Sequence, residues 1–164
     1  MYKKNSIAFT QKFLIITYLL CLVTTKNSLP QWFNQDSQTS VNLKSIYFIN
    51  AKEGWACGAS NTVIKTTNGG DNWISISPAG NYTFNSVWFV NSNVGWVAGG
   101  TDVFSGGVIL KTTDGGTNWN KQVSNFTSSI TSLDFISEHI GWASGDGVIL
   151  KTIDGGIIWS FLPT

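Results

Sequence analysis

Lys111-Thr-Thr-Asp-Gly-Gly-Thr-Asn-Trp119 decides the fold, because the chain writes this stretch three times. The other copies are Lys65-Thr-Thr-Asn-Gly-Gly-Asp-Asn-Trp73 and Lys151-Thr-Ile-Asp-Gly-Gly-Ile-Ile-Trp159. An apolar run precedes each copy, and a Gly-Trp pair precedes that run, at Gly54-Trp55, Gly95-Trp96 and Gly141-Trp142. A β-branched run, a Gly-Gly corner and a closing aromatic read as strand, tight turn, strand. The lysines stand 111 − 65 = 46 and 151 − 111 = 40 residues apart. That is the period of a propeller blade, and it is too long for a leucine-rich or ankyrin unit.

The corner residue of each copy (Asn68, Asp114 or Asp154) is expected to accept backbone N–H groups one or two residues on. Gly70, Gly116 and Gly156 supply positive φ without a Cβ clash. Thr66, Thr112 and Thr152 add a hydroxyl to the same turn, and Trp73, Trp119 and Trp159 are placed to fold over it. These twelve residues read as structural staples, since a catalytic group has no reason to recur once per repeat.

Thr-x-Asp-x-Gly-x-x-Trp resembles the Asp-box, the bacterial-neuraminidase repeat of sialidases and other propellers. The wider unit, Leu43-Lys-Ser-Ile-Tyr-Phe48 with Gly54-Trp-Ala-Cys-Gly58 and the box, is similar to the repeat of the photosystem II stability and assembly factor family. Ser86-Val-Trp-Phe89 with Gly95-Trp-Val-Ala-Gly99, and Thr131-Ser-Leu-Asp-Phe135 with Gly141-Trp-Ala-Ser-Gly145, match it again. The resemblance covers roughly residues 41 to 164; Asn68 departs from it by replacing the box carboxylate with an amide. It implies a secreted or lumenal propeller that acts as a scaffold gripping a protein partner.

The expected organisation has three parts. Residues 1–25 read as a signal peptide: Lys3, Lys4 and Lys12 precede the apolar run 13–23, with cleavage expected after Thr25. The run is shorter than the roughly 20 residues that span a bilayer, so the protein is expected to be secreted or periplasmic. A lipid anchor at Cys21 is the alternative, disfavoured by the bulk of Leu20. With Cys21 gone, Cys57 is the only thiol and reads as buried and inert. Residues 26–40 read as the outer strand of an incomplete blade plus a linker, because Trp32 precedes Leu43 by the same 11 positions that separate Trp73 from Phe84 and Trp119 from Ile130. Residues 41–164 read as three all-β blades at 41–77, 84–122 and 130–161, each of four antiparallel strands. Outer strands are expected at 72–77, 118–122 and 158–161. Three blades make an open arc, or a fragment of a propeller of about six to eight blades. Its bare end faces are expected to be relieved by further blades or by self-association.

Function is narrowed mostly by exclusion. Net charge is +1 and all ten basic residues are Lys, which gives no electrostatic case for nucleic acid. A chain without Arg cannot build the bidentate carboxylate clamp of a sialidase. A general glycosidase needs two carboxylates about 5–10 Å apart, yet Glu53 and Glu138 fall in loops of different blades and Asp134 stands alone on an inner strand. His139 is the sole His, so no metal site is expected, and no cofactor either. The middle blade carries a longer loop over 99–107, and repeat insertions map to one face. Tyr82, Asp102, Phe104, Phe126 and Asp146 share that end, opposite the boxes, and form the candidate binding face, with a solvated loop the default for each. The expected function is a non-enzymatic extracytoplasmic scaffold that binds a protein. The alternative is a carbohydrate-binding or partial sialidase-like glycoside hydrolase propeller with a glycan ligand.

Overall fold

The computed structural model describes residues 34–101, 106–122 and 126–161. All of them but Asn34 fall in one compact unit. The leader over 1–25, Cys21, Trp32, Asp102 and Phe104 lie outside the described residues.

Three four-stranded antiparallel sheets follow one another, each with its strands in chain order. The first holds β1 (Leu43–Phe48), β2 (Gly54–Gly58), β3 (Val63–Thr66) and β4 (Ile74–Ser75). The second holds β5 (Tyr82–Phe89), β6 (Gly95–Thr101), β7 (Gly107–Thr112) and β8 (Asn120–Lys121). The third holds β9 (Ser132–Phe135), β10 (Gly141–Gly145), β11 (Val148–Thr152) and β12 (Ser160–Phe161). No helix occurs among the described residues. The inner strands of each sheet pack on those of the next, β1 and β2 on β5, then β5 and β6 on β9. The result is an unclosed arc of three propeller blades.

One aromatic arrangement makes each junction. Phe89 lies flat on Trp55 of the preceding blade and takes the edge of its own Trp119, with centroids 6.2 Å apart at 88°. Phe135 repeats this with Trp96 and Trp159. Gly95 is glycine because a Cβ there would meet the Phe89 ring at 2.4 Å. Lys65 and Lys111 place their ammonium groups 5.0 Å from the Trp55 and Trp96 ring centres, which follows from the direct cross-strand pairing of Trp55 with Lys65 and Trp96 with Lys111. A hydrogen bond accompanies each stack: Val87 N–H donates to Ser45 Oγ (3.3 Å) and Leu133 N–H to Ser86 Oγ (3.0 Å). At the arc's ends the equivalent positions are bare. Ile46 is 62% exposed where its counterpart Val87 is buried, and Ile149 is 55% exposed where Ile109 is buried.

The outer strands are shorter than the sequence suggests, two residues each. A side chain takes over the ladder: Val63 N–H donates to the Ser77 hydroxyl (3.0 Å), leaving Ile76 N–H to reach Val63 O (2.9 Å). The middle blade has the longest of the inner strands, and its β5–β6 ladder runs on to pair Tyr82 with Thr101. Gln35, three residues past Trp32, sits against Gly70 as Ile76 sits against Gly116 and Gln122 near Gly156. Register shifts fall at the start of β1 and β5, where Leu43 pairs with Gly58 but Ser45 with Cys57, and Phe84 with Gly99 but Ser86 with Ala98. Lys44 and Asn85 are the extra residues, and a bulge re-aims the side chain it carries.

Candidate functional site

At one end of the arc lie the box turns. Thr112 Oγ1 donates to Asp114 Oδ1 (2.9 Å) and accepts the N–H groups of Asp114 (3.3 Å) and Gly116 (2.9 Å). Asp114 Oδ1 accepts Asn118 N–H at 2.8 Å, and Oδ2 accepts the Asn118 side-chain amide at 2.7 Å. The carboxylate therefore reaches four residues along the chain, further than the one or two residues expected, and the Thr hydroxyl serves the nearer N–H groups. Thr66 with Asn68 and Gly70, and Thr152 with Asp154 and Gly156, repeat the threonine-centred bonds. The box Trp reaches beyond its own turn: Trp119 Nε1–H donates to Ile76 O of the preceding blade (3.0 Å).

The two glutamates sit at this end and tie blades together. Burial works to raise the Glu53 carboxyl, but Ser92 Oγ–H (2.6 Å) and the Lys65 ammonium (2.9 Å) hold it below its ordinary value. Glu138 accepts the Asn91 amide at 2.7 Å. Among the described residues no three His, Cys, Asp or Glu gather into a metal-holding group.

The opposite end carries a cleft of about 220 Å³ built from all three blades. Lys44 comes from the first blade, Thr83, Asn85, Gly100 and Thr101 from the second, Ser129 from the linker that follows and Asp146 from the third. A hydrogen-bond line runs along it. Lys44 Nζ donates to Asn85 Oδ1 (3.0 Å), and Asn85 Nδ2 donates to Ser129 Oγ (3.0 Å) and Ile130 O (2.9 Å). The two bulges thus turn side chains that would otherwise follow strand alternation toward one another across a blade junction. The chemistry on offer is one ammonium, one carboxylate, an amide and hydroxyls, which together make a polar recognition surface.

Of the residues expected at this face, Asp146 lines the cleft, on a turn where it and Gly147 both have positive φ. Tyr82 is half-buried, packed on Phe84 at 5.7 Å, and Phe126 is half-buried against the core with Phe161 on its edge. Lys44 and Asn85 were not singled out from sequence. A signal existed: Leu43-Lys-Ser, Phe84-Asn-Ser and Ile130-Thr-Ser place two polar residues in a row at one offset of each repeat, which breaks strand alternation.

Strand order, junction and box together define an Asp-box β-propeller. Residues 24–127 match the family model described as Photosynthesis system II assembly factor YCF48, and the chain belongs to that family. Among solved structures it resembles YCF48 bound to D1 peptide, with a TM-score of 0.69 and 26% identity over 82% of this chain and 44% of that one. It also resembles YCF48 from Cyanidioschyzon merolae, with a TM-score of 0.61 and 28% identity over 76% and 38%. The GH74 enzyme of Niastella koreensis, at a TM-score of 0.59 and 16% identity over 74% and 22%, shares the fold alone. The chain spans less than half the length of the two YCF48 structures. None of the curated proteins matches it.

Proposed function

We propose that this chain is a non-enzymatic, extracytoplasmic binding module that receives an extended polar segment of a partner protein along the cleft opposite its boxes. The observation that carries the reading is the Lys44–Asn85–Ser129 line, which runs from the first blade across the second to the linker that follows and leaves the Lys44 ammonium with further N–H groups to give. Peptide carbonyls and carboxylates are the natural acceptors for such donors. The relative whose structure holds a D1 peptide supports a peptide ligand. Asp146 is the one carboxylate of the cleft lining, whereas glycosidases use two. The leader-like residues 1–25 support a place outside the cytoplasm.

Fluorescence anisotropy of a labelled D1 peptide with the full chain tests the site. Saturable binding is expected, weakened about tenfold by Lys44→Met, as for a lost charge-assisted hydrogen bond, and weakened by salt. Absence of binding, or binding indifferent to Lys44→Met, overturns the reading; specific signals on a glycan array with no peptide binding would favour a carbohydrate ligand instead. For location, the N-terminal residue of protein recovered from cells decides. Loss of about 25 residues is expected, an acylated Cys21 would replace secretion by lipid anchoring, and an intact Met1 in the cytoplasmic fraction overturns export.

A further inference from the structure

The middle blade has a neighbour on each side, so what stays exposed on it is exposed in any blade of this arc. Thr113, Thr117 and Asn118 of its box are such positions, and Thr67, Asp71 and Asn72 of the first box are exposed likewise. In the third box all three places hold isoleucine: Ile153 is 72% exposed, Ile157 67% and Ile158 64%. A further blade would not cover them, since the second blade leaves their counterparts in water. Nothing in the blade junctions accounts for three β-branched aliphatics on one turn, and clustered exposed apolar groups mark interaction surfaces.

The same change alters the charge at their centre. Asp114 Oδ2 is capped by the Asn118 amide at 2.7 Å. Ile158, at the equivalent place, still gives its backbone N–H to Asp154 Oδ1 (3.0 Å) but has no side-chain donor to give. Asp154 keeps the Thr152 hydroxyl and its backbone N–H partners and feels the charge of Lys111, but it lacks the second side-chain cap that closes Asp114, and it stands in the midst of aliphatic groups. Beside it Ile153, Ile158, Lys151, Asp154 and Ser160 line a hollow of about 270 Å³, and the Lys151 ammonium is drawn over the Trp142 ring, 5.5 Å from its centre.

We propose that the third box is a docking surface for a partner-protein segment that sets an aliphatic side chain in this hollow and a neighbouring lysine or arginine on Asp154. The aliphatic part follows from the isoleucines and the basic part from the carboxylate at their centre, which lacks the side-chain amide cap of Asp114. An anionic lipid surface is the poorer fit, because Asp154 would face like charge. The surface lies at the opposite end of the arc from the Lys44 cleft, so it stands or falls independently of the peptide reading above.

The test is an array of short peptides that pairs each aliphatic residue with each charged one, probed with the full chain. The wild-type protein is expected to retain peptides with Leu, Ile or Val beside Lys or Arg. The triple variant Ile153→Thr, Ile157→Thr, Ile158→Asn writes the second box's residues into the third, a turn this fold already makes, and is expected to lose those signals at least tenfold. Ile153→Thr alone serves if the triple variant melts early. Asp154→Asn is expected to keep the aliphatic preference and lose the basic one, and Lys44→Met to change nothing. A blank array, equal signals from wild type and triple variant, or a preference for acidic neighbours overturns the proposal. So does cosedimentation with phosphatidylcholine or phosphatidylglycerol vesicles that the triple variant loses while the array stays blank, which would assign the patch to lipid.

Discussion

Trp55 lies flat on Phe89 of the next blade, the ring centres 3.8 Å apart and the planes 6° from parallel. Phe89 is wholly buried between this ring and the edge of Trp119, so Phe89→Ala is expected to cost about 3–5 kcal/mol, read from urea unfolding. Phe48 is the same residue one repeat earlier, yet among the described residues its aromatic partner is Trp73 at its edge, and it is exposed. Phe48→Ala should cost less than half as much. Equal costs would mean that the blade junction is not where the stability resides.

Thr112 is fully buried and its hydroxyl accepts two backbone N–H groups. Thr112→Val keeps the shape and strands those donors, with an expected cost of about 1–3 kcal/mol. Thr112→Ser retains the oxygen and is expected to be the milder change. A valine variant as stable as wild type would show that water or a shifted turn satisfies the donors.

The box carboxylates are expected to make the arc sensitive to acid. Asn118 N–H groups hold Asp114, and the Ile158 N–H holds Asp154, below the ordinary 3.8. The folded chain therefore binds these protons less readily than the unfolded one, and their contribution is whole above that value and lost as pH falls through the lower folded value. Thermal melts between pH 6 and pH 2 should drop more steeply below about 3.8 for wild type than for Asp114→Asn with Asp154→Asn. The first box already carries the amide Asn68 and adds nothing to this limb. Parallel curves would contradict the account.

Burial pushes the Cys57 thiol up to about 12, so it is a neutral thiol throughout the physiological range. Iodoacetamide at pH 8, followed by peptide mapping, should label Cys57 only after denaturation. Rapid labelling of the folded protein would place the thiol at an open surface.

The blades were legible because the features that make them recur: the box, the Gly-Trp pair and the 40- to 46-residue spacing of Lys65, Lys111 and Lys151 state the same local physics three times. Outer-strand length was not, since it depends on whether a hydroxyl such as that of Ser77 displaces a backbone pair, a competition invisible to strand propensity. The cleft was missed for a related reason. Loops and linkers carry the obvious sequence signals, whereas Lys44 and Asn85 sit within strands and are redirected by bulges whose register only the paired strand reveals. Asp146 was reachable because an Asp-Gly turn announces itself.

The bonds from Val87 to Ser45 and from Leu133 to Ser86 fall at the same step of successive repeats, beside the same ring stack. One blade therefore ends in the mating half of whatever blade begins next, and the joints are interchangeable. In such an array the energetics reduce to nearest-neighbour couplings, one per joint, so a duplicated repeat spliced in frame between the second and third blades would meet compatible partners on both sides. Recombination can lengthen a chain of this kind without redesigning any part of it. The copies meanwhile differ at Ile153, Ile157 and Ile158, whose side chains face water, so that each blade is free to acquire its own surface while the seams stay common property.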